Sequence, residues 1–233
     1  MAVALLSWVY LFQLDNNMQD RVMNAGIQPW KIIDFFMMFL MWAIMMVAMM
    51  LPSAMRSVLI FARLAAKDET HQQIFTPILV FVLAYITIWT LFSVIATTVQ
   101  WLLEMIALLS PMMVLTSAKL GSGLLIITGL YQLTPLKDAC LKHCQSPLML
   151  FASRYQKGHR AAFQLGFSHG LYCLGCCWML MCLLFIGGVM NLLWILAISL
   201  FVLAEKLLPP RIESTRLTSF LMISAGLAYL WTT

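Results

Sequence analysis

Apolar runs separated by short polar segments make up most of the chain. Several runs are about 17 to 25 residues long, which suits helices crossing a hydrocarbon core of about 30 Å. No segment alternates between polar and apolar residues as the strands of a membrane barrel do. The pattern therefore predicts an all-α, polytopic helical membrane protein. Counting the shorter run at residues 1–14 as the first span, the second to seventh predicted spans are residues 32–51, 76–99, 118–134, 161–182, 187–205 and 216–232.

The apolar run at residues 1–14 is shorter than the others and would extend only roughly 21 Å as a helix. It is either a thin first helix or the remainder of one that starts upstream. A cleaved signal peptide is disfavoured because no Lys or Arg precedes the run. We predict six to seven transmembrane helices in a single bundle domain, residues 1–233. Residues 1–31 form its short first helix and an outer loop, and residues 32–233 form its core.

The distribution of basic residues predicts the orientation. Residues 135–160 form the most basic segment, which the positive-inside rule places in the cytoplasm. The loops at 53–75 and 205–216 then lie on the same side, and the poorly charged connections 100–117 and 183–191 lie outside. This arrangement puts the N-terminus inside and the C-terminus outside. The basic residues of the cytoplasmic segment are Lys137, Lys142, Arg154, Lys157 and Arg160.

Composition supports the membrane assignment. Hydrophobic residues make up 63% of the chain and charged residues 10%, so a soluble globular domain is excluded. The net charge of +5 lies in the loops, where it acts as an orientation signal and contacts lipid, and nucleic-acid binding is not indicated. Six cysteines and 19 methionines point to soft-metal or thiol chemistry. A structural disulfide framework is disfavoured within the membrane and on its cytoplasmic side.

The fifth span carries four candidate ligands on one helix face, namely His169, Cys173, Cys176 and Cys177. Imidazole and thiolates suit Cu(I), Zn(II) and iron. Three interpretations remain open: metal ligation, thiol–disulfide exchange through the CxxC pair Cys173 and Cys176, and simple packing. Haem attachment is disfavoured because Cys177 stands where a c-type site needs histidine.

A second cluster precedes that span. Cys140, His143 and Cys144 share one face of a short helix predicted after Pro135. The rise of a helix would separate Cys144 from Cys177 by some tens of ångströms unless the intervening loop folds back. We therefore expect two separate metal stations, with this one on the cytoplasmic side.

One face of the second span combines an acid with thioethers. Adaptable packing of the methionines, with the acid at the water interface, is one interpretation. A thioether track that passes a soft ion is the other. The residues of this face are Asp34, Met38, Met41, Met45 and Met49.

Small and charged residues give two further expectations. Gly166, Gly170 and Gly175 permit close helix approach and would help bring the methionine face against the cysteines. Glu205 and Lys206, at the cytoplasmic end of the sixth span, are expected to pair with water or with each other.

Five sequence blocks carry a resemblance: MMVAMMLP at 45–52, GLYQLTPLKDACLKHCQSP at 129–147, GFSHGLYCLGCCWMLM at 166–181, GGVMNLLW at 187–194 and AEKLLP at 204–209. In order and spacing, over about residues 30–232, they resemble a bacterial family of metal-binding integral membrane proteins of unknown function. The resemblance implies a multi-helix protein of the inner membrane. It also implies that the metal ligands are Cys140, Cys144, His169, Cys173, Cys176 and Cys177.

These observations favour a multi-pass protein of the bacterial inner membrane that binds a soft transition metal, most simply copper. Its partners would be the lipid bilayer and a metallochaperone or cuproprotein, in transport or in delivery. Met and Cys together suit Cu(I) better than Zn(II), since zinc seldom accepts a thioether. A membrane thiol–disulfide oxidoreductase and a structural subunit of a larger complex are the alternatives, so an enzymatic role stays open but less favoured. No P-loop or nucleotide domain suggests ATP-driven pumping.

Overall fold

The computed structural model describes residues 4–11, 13, 31–66, 75–110, 113–146, 151, 156–208 and 212–231. Regular structure in these ranges is helical, apart from an isolated bridge between Leu109 and Leu115. The predicted all-α class is confirmed. Residues 4–11 are helical, whereas nearly all of the predicted outer loop at 15–31 lies outside the described residues. The principal helices are α1 (Ile32–Ala65), α2 (Phe75–Met105), α3 (Ala118–Gln132), α4 (Pro135–Gln145), α5 (His159–Cys182), α6 (Leu184–Gly187), α7 (Leu192–Leu207) and α8 (Ile212–Trp231).

Three helical segments in the described part of the chain are long and apolar enough to cross a membrane: Ile32–Ala65, Phe75–Met105 and His159–Gly187. Large apolar side chains such as Leu83 and Ile95 are exposed on them, which fits contact with lipid. Helices α3 and α7 have 15 and 16 residues and are shorter than a typical span. The total of six to seven crossings and their orientation stay predictions.

Helix α1 passes through Pro52, where the sequence predicted that the second span ends. Proline has no N–H to donate to the carbonyl four residues earlier, that of Ala48, and membrane helices accommodate such a gap. Nearby, the hydroxyls of Ser53 and Tyr85 both donate to the carbonyl of Met50, at 2.9 and 3.2 Å. Residues 53–65, predicted as loop, are helical. Helix α2 likewise continues through Met105, beyond the predicted end at 99.

Glycines of α5 set its contact with α2. A Cβ on Gly166 would collide with the backbone of Phe81, and one on Gly170 would lie 2.9 Å from the side chain of Ile88. The expected role in close helix approach is confirmed for both residues, but the helix they admit is α2 and not the methionine-bearing α1. A second close pair consists of α3 and α8, where Ser219 donates to the carbonyl of Gly129 at 2.5 Å.

The main core cluster is rich in sulfur. Trp42 and Trp89 are buried in it together with methionines of α1 and cysteines of α4 and α5. A smaller aromatic cluster lies beside it, in which the rings of Phe61 and Phe81 stack at 4.7 Å. The buried sulfur-bearing members of the main core cluster are Met41, Met45, Met46, Met49, Met50, Met113, Cys144, Cys173, Cys176, Cys177 and Met181.

Candidate metal centre

The predicted short helix after Pro135 is confirmed as α4, and it packs along α5. Thr134 caps its N-terminus by accepting from the backbone N–H of Lys137. This packing places the sulfur of Cys144 3.9 Å from the sulfur of Cys176. The expectation of two separate stations is therefore wrong for Cys144, because the two helices lie side by side.

Gly175 makes this approach possible. A Cβ at that position would lie 2.8 Å from the sulfur of Cys140, closer than such atoms pack. Tyr131 fixes the same turn of α5 by donating its hydroxyl to the carbonyl of Gly175 at 2.5 Å. Burial raises the pKa of the Cys140 thiol, and the nearby Cys176 raises it further. Cys140 consequently lies at the edge of the thiol cluster as a neutral thiol.

Cys173 is the centre of the cluster. Its sulfur lies 2.9 Å from the ammonium of Lys206 and 3.0 Å from the hydroxyl of Tyr85. The thiols of Cys176 and Cys177 donate to the backbone carbonyl of the same residue, and the sulfur of Cys144 lies next to that of Cys176. We call Cys144, Cys173, Cys176 and Cys177 the thiol cluster; all four are buried.

Lys206 supplies a positive charge to the buried cluster. Its ammonium contacts the sulfur of Cys173 and the hydroxyl of Ser53, the latter at 3.0 Å. No carboxylate in the described ranges forms an ion pair with it, and Glu205 pairs instead with Lys137 at 2.7 Å. The expected pairing of Glu205 with Lys206 is thus wrong, because consecutive residues on a helix point in different directions. A buried ammonium next to a thiol stabilises the thiolate form of that cysteine.

The residues of the methionine face differ in burial along α1. Met41, Met45 and Met49 are buried in the same core cluster as the cysteines, and the half-buried Met38 packs against its edge. Asp34 is exposed and accepts from the backbone N–H of Lys31 at 2.8 Å, as a residue in the first turn of a helix often does. Asp34 lies about 24 Å along the helix axis from Met50, the residue that contacts Tyr85 beside the cluster. It is therefore not part of the thiol cluster.

The two candidate histidines have different surroundings. His169 is buried one turn before Cys173, with its ring 5.8 Å from that of Tyr85, and its Nδ1 has no hydrogen-bond partner. An unpaired buried nitrogen of this kind is costly unless something binds it. His143 stacks on Tyr172 at 4.3 Å, and its Nδ1 lies 2.8 Å from the carbonyl of Ala139. His169 is the better placed of the two to supply nitrogen next to the cluster.

The thiol groups of two cysteines are turned onto their own helix. Cys176 and Cys177 donate to the carbonyl of Cys173 at 3.0 and 2.9 Å. Across the ranges that the structure describes, no group of three His, Cys, Asp or Glu side chains already converges as a metal site. Binding of a metal by either thiolate would replace its S–H hydrogen bond to this carbonyl.

Sequence reasoning missed three residues of this region. Lys206 could have been found, since a charge just after the largely apolar run 192–204 marks either the membrane surface or a buried partner. Tyr85 and Ser53 carry no such signal, because each lies among residues of ordinary membrane-helix composition. Their contact with the cluster exists only through the packing of α1, α2 and α7 around α5.

Together these features describe an all-helical protein with membrane-spanning candidates and a buried cluster of thiols beside a single ammonium. The chain belongs to the PpoB2 family, whose family model matches residues 39–229 and is described as a copper chaperone. The matched range contains the whole thiol cluster and most of the methionine face. No curated protein and no solved structure is significantly similar to the chain.

Proposed function

We propose that this chain is a multi-pass protein of the bacterial inner membrane that binds Cu(I) at the thiol cluster and delivers it to a cuproprotein. Copper is the cargo in this scheme. The ligands are drawn from Cys144, Cys173, Cys176 and Cys177, with His169 as the neighbouring nitrogen donor. The observation that carries the proposal is the meeting of Cys144 with Cys176 across two helices.

The sulfur spacing suits a thiolate-bound metal. With metal–sulfur bonds of about 2.3 Å, two thiolates of a trigonal site lie about 4.0 Å apart. The distance between the sulfurs of Cys144 and Cys176 is 3.9 Å. Little movement of the two helices is therefore needed to place one ion between them, and Cys173 is within reach as a third ligand.

The charge on Lys206 stabilises a copper–thiolate unit. Two thiolates and Cu(I) carry a net charge of −1, which the adjacent ammonium neutralises, and unpaired charge is costly in an apolar interior. Thioethers around the cluster suit Cu(I) as well, because soft sulfur ligands select it. The family description points to the same metal.

The methionines of α1 complete the scheme as exchangeable contacts. Met41, Met45 and Met49 lie in the core next to the thiols, and a neutral thioether releases Cu(I) more easily than a thiolate does. Cys140 and His143 on α4 are the cytoplasmic approach to the cluster, with the basic segment 135–160 inside. Asp34 is exposed at the start of α1, about 24 Å along the helix axis from Met50, and takes no part in the thiol site.

The test is Cu(I) binding by the purified protein in detergent, under reducing conditions, in competition with the chromophoric chelator bicinchoninate. The wild type is expected to hold Cu(I), and the Cys144→Ser, Cys176→Ser double variant is expected to lose the thiol-bound ion. Cys182→Ser is the matched control, because Cys182 is on α5 but outside the cluster. Equal binding by the double variant and the control would overturn the thiol site. Delivery is tested by adding an apo-cuproprotein from the same bacterium and following its copper content.

The competing function is thiol–disulfide exchange. Its reactive pair would be Cys144 and Cys176, whose sulfurs are 3.9 Å apart, instead of the CxxC pair. An oxidoreductase of this kind would cycle between dithiol and disulfide with a redox partner and would need no copper. Metal-free protein whose Cys144–Cys176 pair is oxidised and reduced in step with a membrane quinone would favour it over copper delivery.

A further inference from the structure

A second group of soft donors lies at the other end of α1, around the amide of Gln100. This side chain is fully buried although it belongs to an apolar helix. The indole N–H of Trp42 donates to its Oε1 at 2.7 Å and so fixes which way the amide faces. Its Nε2 faces Glu104 Oε1 at 3.1 Å, Met113 Sδ at 3.3 Å and Met38 Sδ at 3.9 Å.

Three acceptors surround one amide nitrogen. The Nε2 group has two hydrogens and faces three acceptors, and a thioether sulfur is a weak acceptor. One carboxylate and two thioethers, from α1, α2 and the connection after α2, thus point at one electropositive group. A soft cation satisfies thioethers better than an amide hydrogen does.

We propose that Met38, Met113 and Glu104 form a second Cu(I) site, separate from the thiol cluster. The two thioethers supply soft ligands, and the carboxylate of Glu104 neutralises the single positive charge. The Gln100 amide would swing aside when the ion binds. Met38 and Glu104 are partly exposed, so the site is open to the surface at this end of the bundle. The choice of ion rests on the proposed function.

This site differs in chemistry from the thiol cluster. Thioethers carry no proton to lose, so they bind Cu(I) without deprotonation and cannot be closed by a disulfide. The buried methionines Met41, Met45 and Met49 lie between the two groups on α1, and Trp42 and Met50 are separated by about 12 Å along the helix axis. The second site is therefore a point of exchange from which Cu(I) reaches or leaves the thiols by way of these thioethers.

The experiment uses the full chain with Cys144→Ser and Cys176→Ser, which removes the thiol pair. Cu(I) supplied with bicinchoninate should still bind at about one equivalent, and X-ray absorption should show sulfur neighbours at about 2.3 Å. Adding Met38→Leu and Met113→Leu should abolish this binding. Leucine is close to methionine in volume, so the packing is preserved. The matched control adds Met37→Leu and Met105→Leu instead, because these two thioethers, on α1 and at the end of α2, are exposed.

We call the chain with Cys144→Ser and Cys176→Ser the serine background. Two results would overturn the second site: no Cu(I) bound by the serine background, or binding that survives loss of Met38 and Met113. If the serine background does not fold, the comparison moves to chains with intact thiols. There, Met38→Leu with Met113→Leu should lower the stoichiometry by about one equivalent, and Glu104→Gln should weaken the second equivalent at least about tenfold. Unchanged stoichiometry would again reject the site. If the serine background binds as much as the wild type while the leucine pair abolishes binding, the thiol proposal fails and the thioether site stands.

Discussion

The ammonium of Lys206 lies 2.9 Å from the sulfur of Cys173, and both side chains are buried. The pair joins α7 to α5 at the point where Tyr85 and Ser53 also converge. It gives the cluster a fixed positive charge that does not depend on bound metal. The charge is therefore in place to neutralise thiolates before any ion binds.

Replacing Lys206 with methionine should weaken Cu(I) binding by about 10- to 100-fold, the range found when a group supporting metal ligands is lost. The physical reason is that the anionic copper–thiolate unit would lose its neutralising partner in an apolar interior. Competition with bicinchoninate measures the change. Lys142→Met is the control, because Lys142 is 63% exposed and pairs with Asp138 on its own helix. Equal affinities in the two variants would show that Lys206 does not support the cluster.

Replacing Gly175 with alanine should separate α4 from α5. The new Cβ would meet the sulfur of Cys140 at 2.8 Å, and such overpacking destabilises by about 1–3 kcal/mol. Thermal unfolding in detergent measures the loss. Gly123→Ala is the control, because nothing lies within 4 Å of its Cβ, and there alanine should stabilise the helix by about 0.5–1 kcal/mol.

A second substitution should restore the stability of the Gly175→Ala variant. Cys140→Ala removes the sulfur that the new Cβ would meet, so the double variant with Gly175→Ala should recover most of the lost stability. Strictly additive losses in the double variant would mean that the Cys140 sulfur is not the obstacle.

The ion pair between Lys137 and Glu205 should contribute much more to stability than the one between Lys142 and Asp138. Lys137 is 1% exposed and also donates to Gln132, so Glu205→Gln leaves an uncompensated buried ammonium. The expected cost is about 3–5 kcal/mol. Asp138→Asn, in an exposed pair, should cost at most about 1 kcal/mol. Chemical unfolding of both variants checks the ranking, and a reversed ranking would contradict the burial of Lys137.

Mild oxidation should link Cys144 to Cys176, since their sulfurs are 3.9 Å apart. Diamide treatment followed by peptide mapping identifies the bond, and Cu(I) added beforehand should protect against it. Cys182, away from the cluster, serves as the reference thiol and should stay reduced. A bond between Cys173 and Cys176 in its place would show that the CxxC pair is the reactive one.

Periodicity and apolar run length were enough to predict the helical class, the approximate limits of α3 and α5, and the short helix α4. They failed at Pro52, because a membrane helix can accommodate a proline in its interior, and α1 continues through it. They failed again at residues 100–105, where Glu104 looked like part of a loop. Gln100 and Trp42 satisfy each other there, which only tertiary packing can reveal.

For the candidate site, the four candidate ligand residues of α5 could be proposed from helix geometry, and Cys144 from its own short helix. The meeting of these groups could not, because it depends on the packing of α4 against α5. Lys206 was read as a residue near the surface. Its burial depends on α7 packing against α1, which places Ser53 opposite it.

Cys144 lies near the end of α4 and Cys176 about three quarters of the way along α5, so 32 positions of sequence separate them. A metal held by both would therefore act as a cross-link that closes this part of the chain, and a cross-link stabilises a protein mainly by restraining the unfolded chain. Cargo and structural clamp would be the same atom. The copper-bound protein should then unfold at a higher temperature than the empty one, so that thermal unfolding could report which form is present.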